Sequence, residues 1–243
     1  MKQAVKNKPI IFSMESVFAI KVGKKTQTRR LLKLKHLPTN EIASIHKDGS
    51  GKGWIAWSPK AVSAEETIKL YPGEEGFKPR YQVNDILWIK ENYYQYGHWK
   101  KNGKLKTGTQ RWKFIPFEDK ICYTNEVDIA YLSFDPKKRS SKIGMYKRWA
   151  MFMPKKYARH WIKITDVRVE QLQRISQEDA KAEGVLHPAP HRCPGWTDPL
   201  KAHRDCYICV YKFIWNQING PKGNHWDINP WVWVYSFELT TKP

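Results

Sequence analysis

The sequence predicts an α+β fold built on a mixed or barrel-like sheet. Three features carry that expectation. Residues 160–170 alternate apolar and polar side chains, the period of a half-buried strand, and residues 230–238 read as a second strand. Helical signatures are few and fall irregularly among the strand signatures. With 243 residues and 41% hydrophobic content, the chain can bury a real core, as one large domain or as a domain with insertions.

Taken in order, residues 13–22 read as a short helix, with Ser13 as N-cap and Gly23 as the residue that ends it. Thr26 and Thr28 then suggest a strand, on which Thr26, Thr28 and Arg30 share one face and Lys25, Gln27 and Arg29 the other. Residues 38–80 are polar, rich in Gly, Ser and Glu, and aperiodic, so they read as a loop-rich insertion. Residues 83–91 are a turn followed by an apolar strand. Residues 95–114 resemble an extended hairpin closed at Asn102-Gly103, with lysines blunting its edges. One or two short strands are expected in 121–134, and 135–147 reads as a basic connection. After the strand at 160–170 comes a helix capped by Ser176, with Asp179 as a capping-box-like partner and Gly184 as its end. A helix at roughly 205–218 and the strand at 230–238 complete the chain, and no internal repeat is visible.

The chain has 43 Lys and Arg against 23 Asp and Glu, a net charge of +20. Several basic clusters are interleaved with Trp99, Trp112, Tyr146, Trp149 and Trp161. Cations that hold phosphates, beside rings that stack bases, suit a nucleic-acid surface. The candidate contacts are Lys100, Lys101, Lys104, Lys137, Lys138, Arg139, Arg148, Lys155 and Lys156. No run approaches the roughly 20 apolar residues of a membrane span, so no membrane is expected. The first eight residues carry no apolar signal-peptide region, which makes the cytoplasm the default location.

Four cysteines in a chain of this length do not make a disulfide scaffold. Cys206 and Cys209, with Cys193, His191 and His203 upstream, are zinc-ligand types. A second Cys-x-x-Cys pair is missing, however, and Cys206, Cys209, Val210, Phe213, Ile214 and Ile218 recur at helical spacing. A buried helical stripe is the better reading, and neither a metal nor a cofactor is expected.

The densest chemistry lies in Gly23-Lys24-Lys25-Thr26-Gln27-Thr28-Arg29-Arg30. Four cations and two hydroxyls in eight residues cannot fill a core unaided, and guanidinium donors suit an oxyanion or a phosphate.

This octad, with Lys8-Pro9-Ile10-Ile11-Phe12, Asn84-Asp85-Ile86-Leu87-Trp88, Met153-Pro154-Lys155-Lys156-Tyr157 and Asn229-Pro230-Trp231-Val232-Trp233, resembles the ASCH family. The segments 164–170 and 175–184 match as well, and the likeness is greatest to phage and prophage ASCH-like proteins. The resemblance implies a single PUA-like domain over 1–243, a mixed β-barrel with packed helices, with insertions at 38–80 and 95–147. It also implies the host cytoplasm if the chain is phage-encoded. Asn84 stands where that group commonly carries Gly. Some small ASCH proteins are amidohydrolases of N4-acetylcytidine, with a Gly-x-Lys-Thr-x-Thr-x-Arg pattern and a late helical Glu. Lys25, Thr28 and Arg30 fall on that pattern, and Glu183 matches the acid. Other family members bind RNA, and some are suspected nucleases.

The resemblance thus implies Lys25, Thr28 and Glu183 as catalytic residues. Lys25, its pKa lowered by desolvation and neighbouring cations, would activate Thr28 for attack on an amide carbonyl, with Arg30 holding the oxyanion. Glu183 would shuttle a proton or hold the substrate's exocyclic nitrogen. Lys24, Arg29, Arg30, Glu91 and Trp88 are candidate substrate-binding residues. Asp166 and Asp179 read as strand-end and helix-capping residues. The expected partner is RNA, DNA or a modified nucleoside; a non-catalytic binding module and a ribonuclease are the alternatives.

Overall fold

A computed structural model of the chain describes residues 7–33, 42, 44–47, 53–57, 78–123, 139–187 and 206–243. Among them the fold is α+β, mostly sheet with few helices. In chain order the elements are β1 (Asn7–Ile11), α1 (Met14–Lys21), β2 (Gln27–Leu31), β3 (Ser44–Lys47), β4 (Trp54–Trp57), β5 (Ile86–Lys90), β6 (Tyr93–Lys104), β7 (Gln110–Tyr123), β8 (Gly144–Arg148), β9 (Trp161–Gln171), α2 (Gln177–Ala182), α3 (Tyr207–Asn219) and β10 (Trp231–Thr240). Two compact units result. The first comprises Met1–Lys6, Ala19–Ile86 and Ile162–Thr240; the second comprises Asn7–Phe18, Leu87–Trp161 and Thr241–Pro243. None of the sheets formed by the described residues closes into a barrel, because each strand order runs between two end strands. No described helix is long and apolar enough to cross a membrane.

In the first unit β9, β10 and β2 are neighbours in that order. β10 pairs antiparallel with β2, setting Val232 opposite Leu31, Val234 opposite Arg29 and Tyr235 opposite Thr28. Opposite residues share a face, so each face of this pair has its own chemistry. Val232 and Val234, both 0% exposed, pack with Leu172, Ile175, Ala180, Val185, Tyr211, Trp215 and Trp226. On the other face Trp233 meets Trp54 edge-on at 5.6 Å, and Tyr235 meets Tyr81 at 5.3 Å. Trp231 Nε1 there donates to the Ile42 carbonyl at 3.0 Å. Burial on both sides explains the unbroken apolar run Trp231-Val232-Trp233-Val234-Tyr235.

Two helix ends prepare the site. α1 closes with Gly23 N–H to the Ile20 carbonyl at 3.0 Å and Lys24 N–H to the Ala19 carbonyl at 2.8 Å. α2 is capped by Ser176 Oγ, which accepts from Asp179 N–H at 3.0 Å. It ends the same way as α1, with Gly184 N–H to the Lys181 carbonyl at 2.8 Å and Val185 N–H to the Ala180 carbonyl at 3.4 Å. Both patterns require a left-handed residue, which Gly23 (φ 72°) and Gly184 (φ 90°) supply. Asn84 adopts φ 71°, a conformation Asn tolerates better than most residues.

Several expectations need correction. The 38–80 insertion contains an antiparallel hairpin, β3 with β4, in which Ser44 faces Trp57 and Lys47 faces Trp54. Outside 42, 44–47, 53–57 and 78–80, that insertion lies beyond the described residues. The hairpin of the second unit is longer than 95–114 and turns at 105–109, where Leu105 N–H bonds the Thr109 carbonyl at 2.8 Å. Gly103, with φ 69°, sits at a register shift between Lys101 and Lys104, so its freedom serves a bulge and not the turn. The basic connection at 135–147 carries most of a strand: β8 pairs with β6, Gly144 opposite Gly97 and Arg148 opposite Tyr93. Of 121–134, residues 121–123 finish β7 and the rest lies outside the described residues. On α3 the buried residues are Tyr211 and Trp215, whereas Phe213, Ile214 and Ile218 are exposed. Both stripes have helical spacing; the aromatic pair wins because its larger rings reach the β10 core. Cys206 is the N-cap of α3, its Sγ accepting from Cys209 N–H at 3.3 Å. Cys193, His191 and His203 lie outside the described residues.

Candidate active site

The backbone between the two helix ends is held on several sides. Lys24 and Lys25 N–H both bond the Ala19 carbonyl, Thr26 N–H bonds the Ala182 carbonyl at 2.9 Å, and Thr26 O accepts from Phe237 N–H at 2.8 Å. Lys25 therefore bridges to Glu183 across an antiparallel pair, although 158 positions separate them. Its Nζ donates to Glu183 Oε2 at 2.9 Å and to the Glu183 carbonyl. The crowding is tight: a Cβ on Gly184 would stand 3.0 Å from Lys25 Cβ and 3.2 Å from Ala19 Cβ. Lys25 is 6% exposed. Burial lowers its pKa, Glu183 opposes that shift, and Arg30 and Arg29 add to it.

Glu183 is the C-cap of α2, where its charge meets the unfavourable end of the helix dipole. Lys25 on Oε2 and Arg29 Nη1 on Oε1, at 3.2 Å, offset that cost. Arg29 is the hub of a buried network. Its Nη1 also donates to Gln27 Oε1 at 2.7 Å, its Nη2 to Glu170 at 2.5 Å and Asp179 at 2.9 Å, and its Nε to Glu170 at 3.1 Å. These bonds can use all five N–H groups of the guanidinium, whose side chain is 0% exposed. Arg29, expected to bind substrate, is thus committed to the protein. Arg168 closes the network on Asp179 Oδ1 at 2.9 Å and Glu170 Oε2 at 3.2 Å. Asp179 is correspondingly more than a capping residue. Burial raises its pKa, but Arg29 and Arg168 bring it net below the usual carboxylate value. Glu170, Asp179 and Glu183 converge on Arg29, so a guanidinium fills the place a bound cation would take; among the described residues no acidic, His or Cys group is arranged to hold a metal.

Strand alternation puts Thr28 and Arg30 on the opposite face of β2 from Gln27 and Arg29. Thr28 is buried opposite Tyr235, and half-buried Arg30 lies opposite Trp233. Burial lowers the Arg30 pKa, opposed by Tyr81, Glu183, Tyr211 and Tyr235. The octad is therefore divided. Lys25, Gln27 and Arg29 belong to the carboxylate side, and Thr28 and Arg30 to a side walled by Tyr81, Tyr235, Trp233 and Trp54. No protein-family model matches the chain, and neither a curated protein nor a solved structure matches it.

Of the other candidates, Lys24 is exposed beside Lys25. Trp88 and Glu91 belong to the second unit. There Trp88 is 8% exposed, with Lys90 Nζ 5.3 Å from its ring centre. Glu91 accepts from Arg159 Nε and Nη2, both at 2.8 Å. Sequence reasoning missed Arg168, Glu170, Tyr81, Tyr211 and Tyr235 as surroundings of the octad. The pair Arg168 and Glu170, two apart on a strand, was the available signal for a shared face.

The nucleic-acid candidates divide similarly. Lys100, Lys101 and Lys104 are exposed on β6, and Lys100 lies directly opposite Lys113, a like-charge pairing that costs stability unless an anion intervenes. Arg139 and Arg148 lie 5.4 Å and 5.0 Å from the Trp99 ring centre, and Arg148 lies 4.3 Å from that of Phe114. Lys155 lies 5.2 Å from the Trp161 ring centre, and Lys156 pairs with exposed Asp119. Lys137 and Lys138 lie outside the described residues.

Proposed function

We propose that this chain is an ASCH-type, PUA-like protein that recognises a nucleic acid or modified nucleotide and hydrolyses the exocyclic amide of an N4-acylated cytidine-type base. The observation that supports the reaction is the buried Lys25–Glu183 pair, in which Lys25 precedes Thr28 by three residues. A lysine whose ammonium is disfavoured by burial gives up its proton more readily and can act as a base. The aromatic wall beside Thr28 and Arg30 supports a planar base as ligand.

In this reading the neutral Lys25 amine takes the Thr28 hydroxyl proton as Thr28 Oγ1 attacks the amide carbonyl carbon, and Arg30 donates to the oxyanion. The C–N bond then breaks, and Lys25 returns the proton to the departing N4. Water, deprotonated by the same amine, cleaves the acyl-threonine ester, releasing the carboxylic acid and restoring Thr28. Glu183 holds Nζ in place throughout. Since Lys25 and Thr28 lie on opposite sides of the strand, the reading requires a bridging water to carry the proton from Thr28 Oγ1 to Lys25 Nζ in the substrate complex.

A second reading, recognition without turnover, is favoured by the charge distribution. The second unit has 19 Lys and Arg against 7 Asp and Glu, whereas the larger first unit has 24 against 16. A free nucleoside offers no phosphate to such a surface, so the surplus suits a polymer. The deciding experiment is hydrolysis of N4-acetylcytidine, free and within RNA, by the wild type, Lys25→Ala and Thr28→Ala. Turnover lost in both variants supports the amidohydrolase. No wild-type turnover with salt-sensitive RNA binding supports the reader.

A further inference from the structure

We propose that the tight turn Ala150–Phe152 of the second unit is a stacking wedge for an unpaired RNA strand. The inference rests on the polymer-recognition reading above and concerns a surface apart from Lys25. Trp149, Met151 and Phe152 are 56%, 61% and 62% exposed. Three large apolar side chains exposed within four residues oppose the hydrophobic effect unless something covers them.

The turn beneath them is firmly built. Ala150 and Met153 are buried, Ala150 N–H bonds Asn92 Oδ1 at 2.9 Å, and Met153 N–H bonds the Ala150 carbonyl at 3.0 Å. Lys90 Nζ donates to the Met151 carbonyl at 2.5 Å, and Met153 Sδ accepts from Glu91 N–H at 3.3 Å. The apolar side chains are therefore presented by an anchored backbone, so binding need not order the turn as well as the side chains.

The surroundings choose the partner. From 139 to 161 the chain has seven Lys and Arg and no Asp or Glu. Lys147 Nζ sits 5.4 Å from the Trp149 ring centre, and Lys155 and Lys156 follow the turn. Lys156 is paired with Asp119 and Arg159 with Glu91, which leaves Lys147 and Lys155 as the cations beside the rings, and rings beside such cations match a polyanion that carries flat apolar groups. The same sheet continues into the β6–β7 hairpin, where Lys100 and Lys113 share one face and Lys101 the other. A bilayer plane engages one face, whereas a flexible strand can follow both. A duplex keeps its base faces stacked, so protruding rings favour an unpaired strand. RNA is specified because the amide-bearing cytidine proposed above is a ribonucleoside.

The test uses the full chain, an unmodified end-labelled RNA 12-mer, the same RNA annealed to its complement, and phosphatidylglycerol vesicles. By fluorescence anisotropy, single-stranded RNA should bind roughly tenfold more tightly than the duplex. Trp149→Ala/Phe152→Ala should weaken single-strand binding at least about tenfold with an unchanged salt slope, because rings and not charges are lost. Trp149→Phe/Phe152→Tyr should retain binding, which separates lost stacking from lost folding. Equal affinity for the two RNA forms, a double-alanine variant within twofold of wild type, or vesicle binding without RNA binding would each overturn the wedge. Since the probe has no acyl group, failure of N4-acetylcytidine hydrolysis leaves this result standing, and the reverse holds.

Discussion

Replacing Arg29 with Met tests whether the buried network is as desolvated as its geometry states. The Arg29 side chain is 0% exposed and bonds Gln27, Glu170, Asp179 and Glu183. Without it, Glu183 keeps only the Lys25 ammonium within the network, while Glu170 and Asp179 keep Arg168. Three carboxylates would then share two cations in a site from which water is largely excluded. Removing one partner of a buried ion pair costs about 3–5 kcal/mol, because the remaining charge is uncompensated. The lower part of that range applies here, since Glu170 and Asp179 side chains are 15% and 22% exposed and retain Arg168. The expected loss is about 3 kcal/mol at pH 7, read as a shift in urea midpoint at constant m-value. The pH dependence has a definite sign. Asp179 titrates below its usual value in the fold, so it contributes stability above the unfolded value of about 3.9 and loses it as pH falls through the folded value. Without Arg29 that contribution of Asp179 shrinks. The gap between variant and wild type should therefore narrow below about pH 4. Arg29→Met/Glu183→Gln should regain part of the loss at neutral pH. A loss below about 1 kcal/mol, or a gap independent of pH, would refute the argument.

Further predictions follow from neighbouring geometry. Lys25→Arg keeps the charge but cannot supply a neutral amine, so hydrolysis of N4-acetylcytidine should disappear while thermal unfolding stays cooperative. Wild-type kcat should rise with pH through a midpoint below the ordinary lysine value of 10.5, as burial lowers the Lys25 pKa; a flat profile contradicts the amine as base. Gly184→Ala should destabilise by more than Gly23→Ala in parallel urea titrations, because both leave a left-handed conformation but only residue 184 also crowds Lys25 and Ala19. The conformational part is about 1–2 kcal/mol in each, and equal losses would deny the crowding. Glu91→Gln should cost about 3 kcal/mol by weakening a two-bond pair with Arg159, and an unchanged melting temperature would assign Glu91 a role outside stability.

The elements easiest to read in the sequence were those specified by local chemistry. Ser13 and Ser176 accept from the backbone where caps were expected, Gly23 and Gly184 take the left-handed conformation that ends a helix, and Thr28 lies on a strand. Elements that depend on competition were harder. Asn102-Gly103 has the composition of a tight turn, yet the ladder runs past it because pairing continues to Lys104 opposite Gln110. Gly144–Arg148 has a loop-like basic composition, and only pairing with β6 makes it a strand. The α3 stripe was legible only in part, Cys206 being buried and Val210 packing on the core while Phe213, Ile214 and Ile218 are exposed, because two sets of residues share one period and periodicity does not say which set meets the core.

The candidate site shows the same division. By itself the sequence determined that a dense cationic octad follows a capped helix, that its residues alternate between two faces, and that the chain carries an excess positive charge of +20. Those properties follow from residue type and backbone period, which are local. Only the tertiary structure decided where each charge goes. It closed the 158-residue separation between Lys25 and Glu183, turned Arg29 inward onto three carboxylates, and left Thr28 and Arg30 on the aromatic side. Electrostatic partnership and desolvation depend on distances through space, and residues far apart in the chain acquire those distances only when the sheet and helix ends meet.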